Sequence, residues 1–311
     1  MANWAAVGET RRRARAAARA AEPGVIRSEG LDSFDIPGLK AKNIKQRTAL
    51  RAIKLAKVKT APQRRATERG LSQIKSHVRA ARGTAPCDED IWGAMRDKDT
   101  SRNVKNFQWK GVHGAHKVGK YFSGMPAPWS DYAVCPSCGE MEAMEHILTE
   151  CPDSAQETIW GLAGDLLGNK IVWEKPKIGQ IWGSAFADFR DENNTPHLGS
   201  NRAYKIVVSE SAFLAWKIRC EKRIEHADEP DWAPSEAEVR QRWYGIINMR
   251  IAYDRLLTNR RRYKRRAIKL DTVLETWDEL IEGVDKLTID ILRQPGVLVG
   301  TGTSRITRGV G

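Results

Sequence analysis

The sequence predicts a mainly α-helical protein. It should have a helical bundle-like body, a small knuckle (a short hairpin plus a helix) and a basic, partly disordered N-terminal arm. Three observations lead there. Apolar residues recur at helical spacing along most of the chain, and no stretch alternates long enough for a sheet. Cys135, Cys138, His146 and Cys151 are spaced C-x2-C-x7-H-x4-C. Residues 1–85 hold 20 Lys and Arg against 6 Asp and Glu, so the whole net charge of +13 sits ahead of a near-neutral remainder.

Five regions follow in order. Residues 1–42 are a basic arm and linker: 9–21 (ETRRRARAAARAA) favour helix but have little apolar face, and 22–42 are punctuated by Pro and Gly. Residues 43–86 form a basic helical region, with helices near 43–58 and 64–82. In the second, Leu71, Ile74 and Val78 make an inward stripe, Arg64, Arg65 and Arg69 face outward, and Gly83 ends the helix. Residues 87–152 contain two short helices capped by Asp88 and Ser101, with Trp92, Phe107 and Trp109 as core, then a glycine-punctuated loop and the knuckle. Residues 153–293 are a helical domain. Its helices are expected near 154–167, with Ile159, Leu162, Ala163, Leu166 and Leu167 inward, near 176–188, and from 201 to 226. The next opens on the capping box Ser235-x-x-Glu238 and turns Val239, Trp243, Ile246, Tyr253 and Leu257 to one face, and the last starts at Asp271. Residues 189–200 are a polar, mobile loop, and 294–311 a flexible tail.

The cysteine–histidine spacing commits the chain to a chemistry. Zn²⁺ takes about four soft or borderline donors at tetrahedral corners, and C-x2-C is a compact way to aim two thiolates at one point. Three of the five cysteines and one of the six histidines fall within 17 positions. The alternative is buried thiols and a surface histidine. On an unbroken helix His146 and Cys151 would point about 140° apart, so Cys151 must lie where the helix unwinds, ahead of Pro152. Four protein donors leave no open position for an activated water, so the zinc is structural. Glu142 and Glu145 are then solvent-exposed groups or partners that orient His146. His113 and His116 form an H-x2-H pair that caps or packs against the knuckle, or competes as metal ligands.

Composition excludes several classes. No apolar run of about 18 residues spans a membrane, and no apolar segment behind Met1 marks secretion. Cys87 and Cys220 leave no disulfide framework, which places the chain inside the cell, in nucleus or cytoplasm. A transit peptide and a merely solvated tail are the other readings of the arginine-rich arm. No phosphate loop, nucleophile elbow, Tyr-x-Asp-Asp pair or nuclease carboxylate set is present, so no enzyme, catalytic residue or small-molecule substrate is expected. The densest charge cluster is Arg260, Arg261, Arg262, Lys264, Arg265, Arg266 and Lys269, with Tyr263 among them and no acid. Such a cluster and the basic arm suit the phosphate backbone of RNA or DNA. Oligomeric state is not fixed by any of these features.

The run from Ile91 to Trp160 resembles the zinc-binding module downstream of reverse transcriptase and RNase H in LINE-type (non-LTR) retrotransposon polyproteins. The residues that carry the resemblance are Ile91-Trp92, Phe107-x-Trp109-Lys110, His113, Gly119-Lys120-Tyr121, CPSCGEMEAMEHILTECP (135–152) and Ile159-Trp160. Residues 209–220 (SESAFLAWKIRC), 242–255 (RWYGIINMRIAYDR) and 296–300 (GVLVG) are similar to tails of fungal elements of this kind. The resemblance implies that Cys135, Cys138, His146 and Cys151 bind zinc and that the module helps hold template RNA or target DNA. The polymerase and RNase H regions of such a polyprotein are missing, so on this resemblance the chain is expected to be a fragment or relic of an element, or a gene model starting late. Asn3 to Gly8 would be the last remnant of an RNase H helix. A zinc-stapled protein-interaction module and a degenerate RNase H-like remnant are the alternatives.

Overall fold

The structure is a computed structural model that describes residues 12, 15, 16, 19, 45–60, 64–229 and 231–281, the side chains of 56–60 and Ser154 excepted. The remainder of the arm and linker, Asn3 to Gly8, and the 294–311 tail lie outside the described residues. The chain divides into two compact units, Met1–Pro62 and Gln63–Gly311.

In the first unit, Arg12, Arg15, Ala16 and Arg19 are helical and exposed. Helix α1 (Gln46–Thr60) leaves Leu50, Ile53 and Leu55 exposed on a helix of otherwise basic character.

The second unit is built from helices. In order these are α2 (Arg65–Arg82), α3 (Asp88–Ala94), α4 (Arg102–Val112), α5 (Ser154–Leu167), α6 (Ile178–Trp182), α7 (Leu198–Cys220), α8 (Glu236–Leu257), α9 (Arg260–Tyr263) and α10 (Leu270–Trp277). Among the described residues there is no strand, only isolated antiparallel bridges at Val134–Met141 and Arg190–Pro196. No described helix is long and apolar enough to cross a membrane.

Local sequence explains the elements. The α2 stripe Leu71, Ile74 and Val78 is buried, and Gly83, at φ 80°, stops the helix by returning its N–H to Arg79 O. Gly70 lies on the same stripe, where a Cβ would stand 2.2 Å from the Val112 carbonyl oxygen, so glycine lets α2 and α4 touch. Ser101 Oγ caps α4 by accepting from Val104 N–H, as expected. The cap of α3 is Cys87, not Asp88: its Sγ accepts from Asp90 N–H at 3.4 Å. Asp153 caps α5, and the five apolar residues expected on its inner face are all buried. Ser235 Oγ caps α8 through Glu238 N–H, but Glu238 turns to Arg242 instead of closing the box. The 189–200 segment carries a tight hairpin, ordered by Asp191 Oδ1, which accepts from Asn193 and Thr195 N–H.

Helix α7 runs through the middle, packed against α4, α5, α6, α8 and α10, and 16 of its 23 residues are buried. Not all of them are apolar. Arg202 donates to both Asp254 oxygens (2.7 and 3.0 Å), to Thr276 Oγ1 (3.0 Å) and to Asp99 (3.3 Å). Lys205 pairs with Asp99 at 2.9 Å and with Asp97. Arg250 and Trp277 Nε1 also donate to Asp254, which is wholly buried. Burial raises the Asp99 carboxyl, but Arg202 and Lys205 outweigh it and hold it at about 2. The buried stripe of α8 is therefore Val239, Trp243, Ile247, Arg250, Ile251, Asp254 and Leu257. Tyr253, expected inside, is 48% exposed, and Ile246 is half-buried.

Candidate metal centre

The knuckle begins as a hairpin. Cys135 N–H donates to Glu140 O (2.7 Å), Glu142 N–H to Ala133 O (2.9 Å), and Gly139 N–H to Cys135 O (2.8 Å). Gly139 has φ 77°, which lets the Cys135-Pro136-Ser137-Cys138 turn close with both sulfurs on one side. The expected helix from Glu140 starts only at Met144 and continues from His146 to Glu150 as a π-helical turn. That turn resolves the angular problem posed by the spacing. Cys151 N–H reaches back five residues to His146 O at 2.8 Å, and Cys151 itself is extended (φ −60°, ψ 130°). The widened turn thus swings the Cys151 sulfur under the imidazole.

The four donor atoms lie within 4.8 Å of one another and could hold a metal ion. Cys135 Sγ and Cys151 Sγ are 3.7 Å apart, and Cys138 Sγ is 3.3 Å from His146 Nε2. Cys135, His146 and Cys151 are buried, and Cys138 lies at the surface. Hydrogen bonds from the Cys151 thiol, His146 and the backbone of Ser137 and Cys138 push Cys135 far below the usual thiol range. Cys151, hydrogen-bonded to Cys135 and buried, is pushed up.

The surrounding contacts hold the donors in place. Gln156 Nε2 donates to His146 O and Ile147 O, and Trp160 Nε1 to Leu148 O at 2.7 Å, which pins the π-turn to α5. The end of α7 and the π-turn after it (Glu221–Glu225) grip the hairpin. Arg219 donates to both oxygens of Glu142, and Arg223 approaches the same carboxylate at 3.5 Å. Arg223 Nη2 also donates to Asp131 O and Val134 O, and Lys222 Nζ to Ser137 Oγ. Glu142 is 2% exposed, so it is neither a solvent-facing group nor a partner of His146. It is the anchor of the knuckle on α7. Glu145 accepts from Gln73 Nε2 at 3.5 Å. Arg219, Lys222 and Arg223 fall at i, i+3 and i+4, a helical stripe of cations that could have flagged this contact in the sequence.

His113 and His116 are not part of the donor set. Burial keeps both below the usual histidine range, helped at His113 by Arg64. His116 Nε2 lies 3.0 Å from Phe107 O, and its ring packs on Trp216. Trp109, expected in the core beside Phe107, is 49% exposed.

The ten candidate phosphate contacts are all exposed, in two groups. Arg64, Arg65 and Arg69 are at the start of α2. Arg260, Arg261 and Arg262 are on α9, Lys264, Arg265 and Arg266 are on the 3₁₀ turn behind it, and Lys269 precedes α10. Among the described residues none of the ten enters an ion pair. Tyr263 packs against the core, with the Arg262 guanidinium 5.6 Å from its ring centre.

No family model, curated protein or solved structure matches this chain.

Proposed function

We propose that Cys135, Cys138, His146 and Cys151 hold Zn²⁺ as a closed structural site, and that the chain is a non-catalytic, zinc-dependent nucleic-acid-binding protein. Its type is the fragment of a retrotransposon reverse transcriptase/RNase H polyprotein that its sequence resembles, holding template RNA or target DNA. The metal reading is supported by the donor geometry. Zn–S bonds of about 2.3 Å at tetrahedral corners set sulfurs about 3.8 Å apart, against 3.7 Å between Cys135 and Cys151. When bound, the ion ties the hairpin to the π-turn and so presents Glu142 to Arg219. The nucleic-acid reading is carried by one observation: ten lysines and arginines are exposed and have no acidic partner among the described residues, and the seven from Arg260 to Lys269 fall on one short segment. Unpaired cations at this density suit a polyanion.

A binding titration with RNA and with duplex DNA at two salt concentrations tests this. If about six phosphates are met, affinity falls on the order of a thousandfold between roughly 50 and 200 mM salt. Absence of binding at the lower concentration refutes the nucleic-acid reading. It leaves the second reading, a zinc-stapled module that docks a protein partner. That reading has one specific support, the outward α8 residues Met249, Tyr253 and Leu256, which are 65%, 48% and 49% exposed at i, i+4 and i+7.

A further inference from the structure

Trp109 lies on the outer side of α4 and is half-exposed, yet it is not an isolated surface aromatic. Its ring centre is 4.2 Å from that of His113, tilted by 56°. His113 in turn lies nearly parallel to Trp92, at 5.2 Å and 15°. Thr67 Oγ1, 2.8 Å from His113 Nδ1, fixes the imidazole from α2. Helices α3 and α4 thus build a ladder of rings, braced by Thr67 of α2, that is packed at its Trp92 end and open at Trp109. Its surroundings are cationic. Arg64, exposed, acts on His113 through its charge, and Lys110, exposed, follows Trp109 in the chain.

We propose that Trp109 and His113 form a stacking platform for an unpaired nucleobase, with Arg64 and Lys110 beside it to meet the flanking phosphates. The inference rests on the nucleic-acid reading above and narrows it to single-stranded RNA or DNA. The occupant is argued from complementarity. An open indole face attracts a flat, uncharged ring, and the cations beside it attract an anionic backbone; a single strand offers both, repeated at short intervals. In a duplex the bases already stack on one another, so their faces are closed to Trp109. No base edge need be read, so the site tolerates any sequence.

The test compares short oligothymidylate, oligouridylate and a blunt DNA duplex of equal length, at about 50 mM salt, by fluorescence anisotropy. Trp109→Ala is expected to weaken both single strands by about 5- to 150-fold and to leave the duplex unchanged, since stacking on one aromatic is worth about that much per base. Trp109→Phe keeps most of the affinity. The slope of log affinity against log salt stays the same in Trp109→Ala, because no charge is removed, whereas Arg64→Ala lowers it by about one. An unchanged urea midpoint confirms that Trp109→Ala is folded. Wild-type binding to single strands that ignores Trp109→Ala, or a loss equal on strand and duplex, overturns the platform alone. A wild-type chain that binds none of the three overturns the nucleic-acid reading and the platform with it.

Discussion

Asp254→Ala removes the carboxylate on which the interior ion cluster converges. Asp254 is wholly buried and accepts from both Nη atoms of Arg202, from Arg250 Nη2 and from Trp277 Nε1. Without it, Arg202 keeps Asp99 and Thr276. Arg250, whose Nε is already unsatisfied, keeps the face of Tyr253 at 5.4 Å and the through-space field of Glu210. Removing one partner of a buried pair costs about 3–5 kcal/mol, because the remaining charge stays in a dry interior. The surviving partners of Arg202 favour the lower half of that range. The orphaned Trp277 N–H adds about 1 kcal/mol. The expected loss is thus about 4–5 kcal/mol, a large share of the 5–15 kcal/mol typical of a domain. With a urea slope of about 2–3 kcal/mol per molar, the midpoint should fall by roughly 2 M. Equilibrium urea unfolding followed by far-ultraviolet circular dichroism measures it, at fixed zinc concentration. Arg240→Ala, which breaks an exposed pair with Glu236, is the control and should cost less than about 1 kcal/mol. If Asp254→Ala costs no more than the control, the reasoning about this cluster is wrong.

Two further outcomes concern the metal and pH. Chelation, or Cys151→Ser, is expected to release one ion per chain and free the hairpin from Arg219, so that limited proteolysis cuts within 131–152 while α7, α8 and α10 stay protected; purified protein that contains no zinc, or an unaltered digest, refutes this. Asp99 is held at about 2, below its ordinary 3.8, so its contribution to stability is fully present above the ordinary value and drains away as pH falls from there through about 2. Urea midpoints measured across that interval should drop less in Asp99→Asn than in the wild type, and equal drops would assign the acid sensitivity elsewhere.

Short-range pattern was legible in the sequence, and long-range partnership was not. The donor set lies within 17 positions, so its spacing alone brought the four side chains together and required a break before Cys151. The form of that break, a π-turn closed by Cys151 N–H on His146 O, depends on Gln156 and Trp160 holding the carbonyls, which spacing does not reveal. Glu142 looked like a surface acid because its partner Arg219 is 77 positions away. Asp254 on α8 is hidden for the same reason: a charged residue is assigned to solvent unless its counter-charges are known, and its partner Arg202 comes from α7, 52 positions away. Arg250 pairs with Asp254 on the same helix, so its burial follows from that of Asp254. Trp109 is different, because the sequence held the answer. Phe107 and Trp109 are two steps apart, roughly 200° around a helix, so only one of them could face inward.

The enclosure of α7 has a practical side. A helix touched from so many directions leaves little room for independent sequence drift, because a change in its volume or charge must be matched by a neighbour. Residues 190–196, by contrast, are exposed without exception and are tied chiefly to one another. An affinity tag, a dye or a protease recognition sequence grafted into that hairpin meets none of the buried side chains of α7, which makes it the natural handle for immobilising the protein.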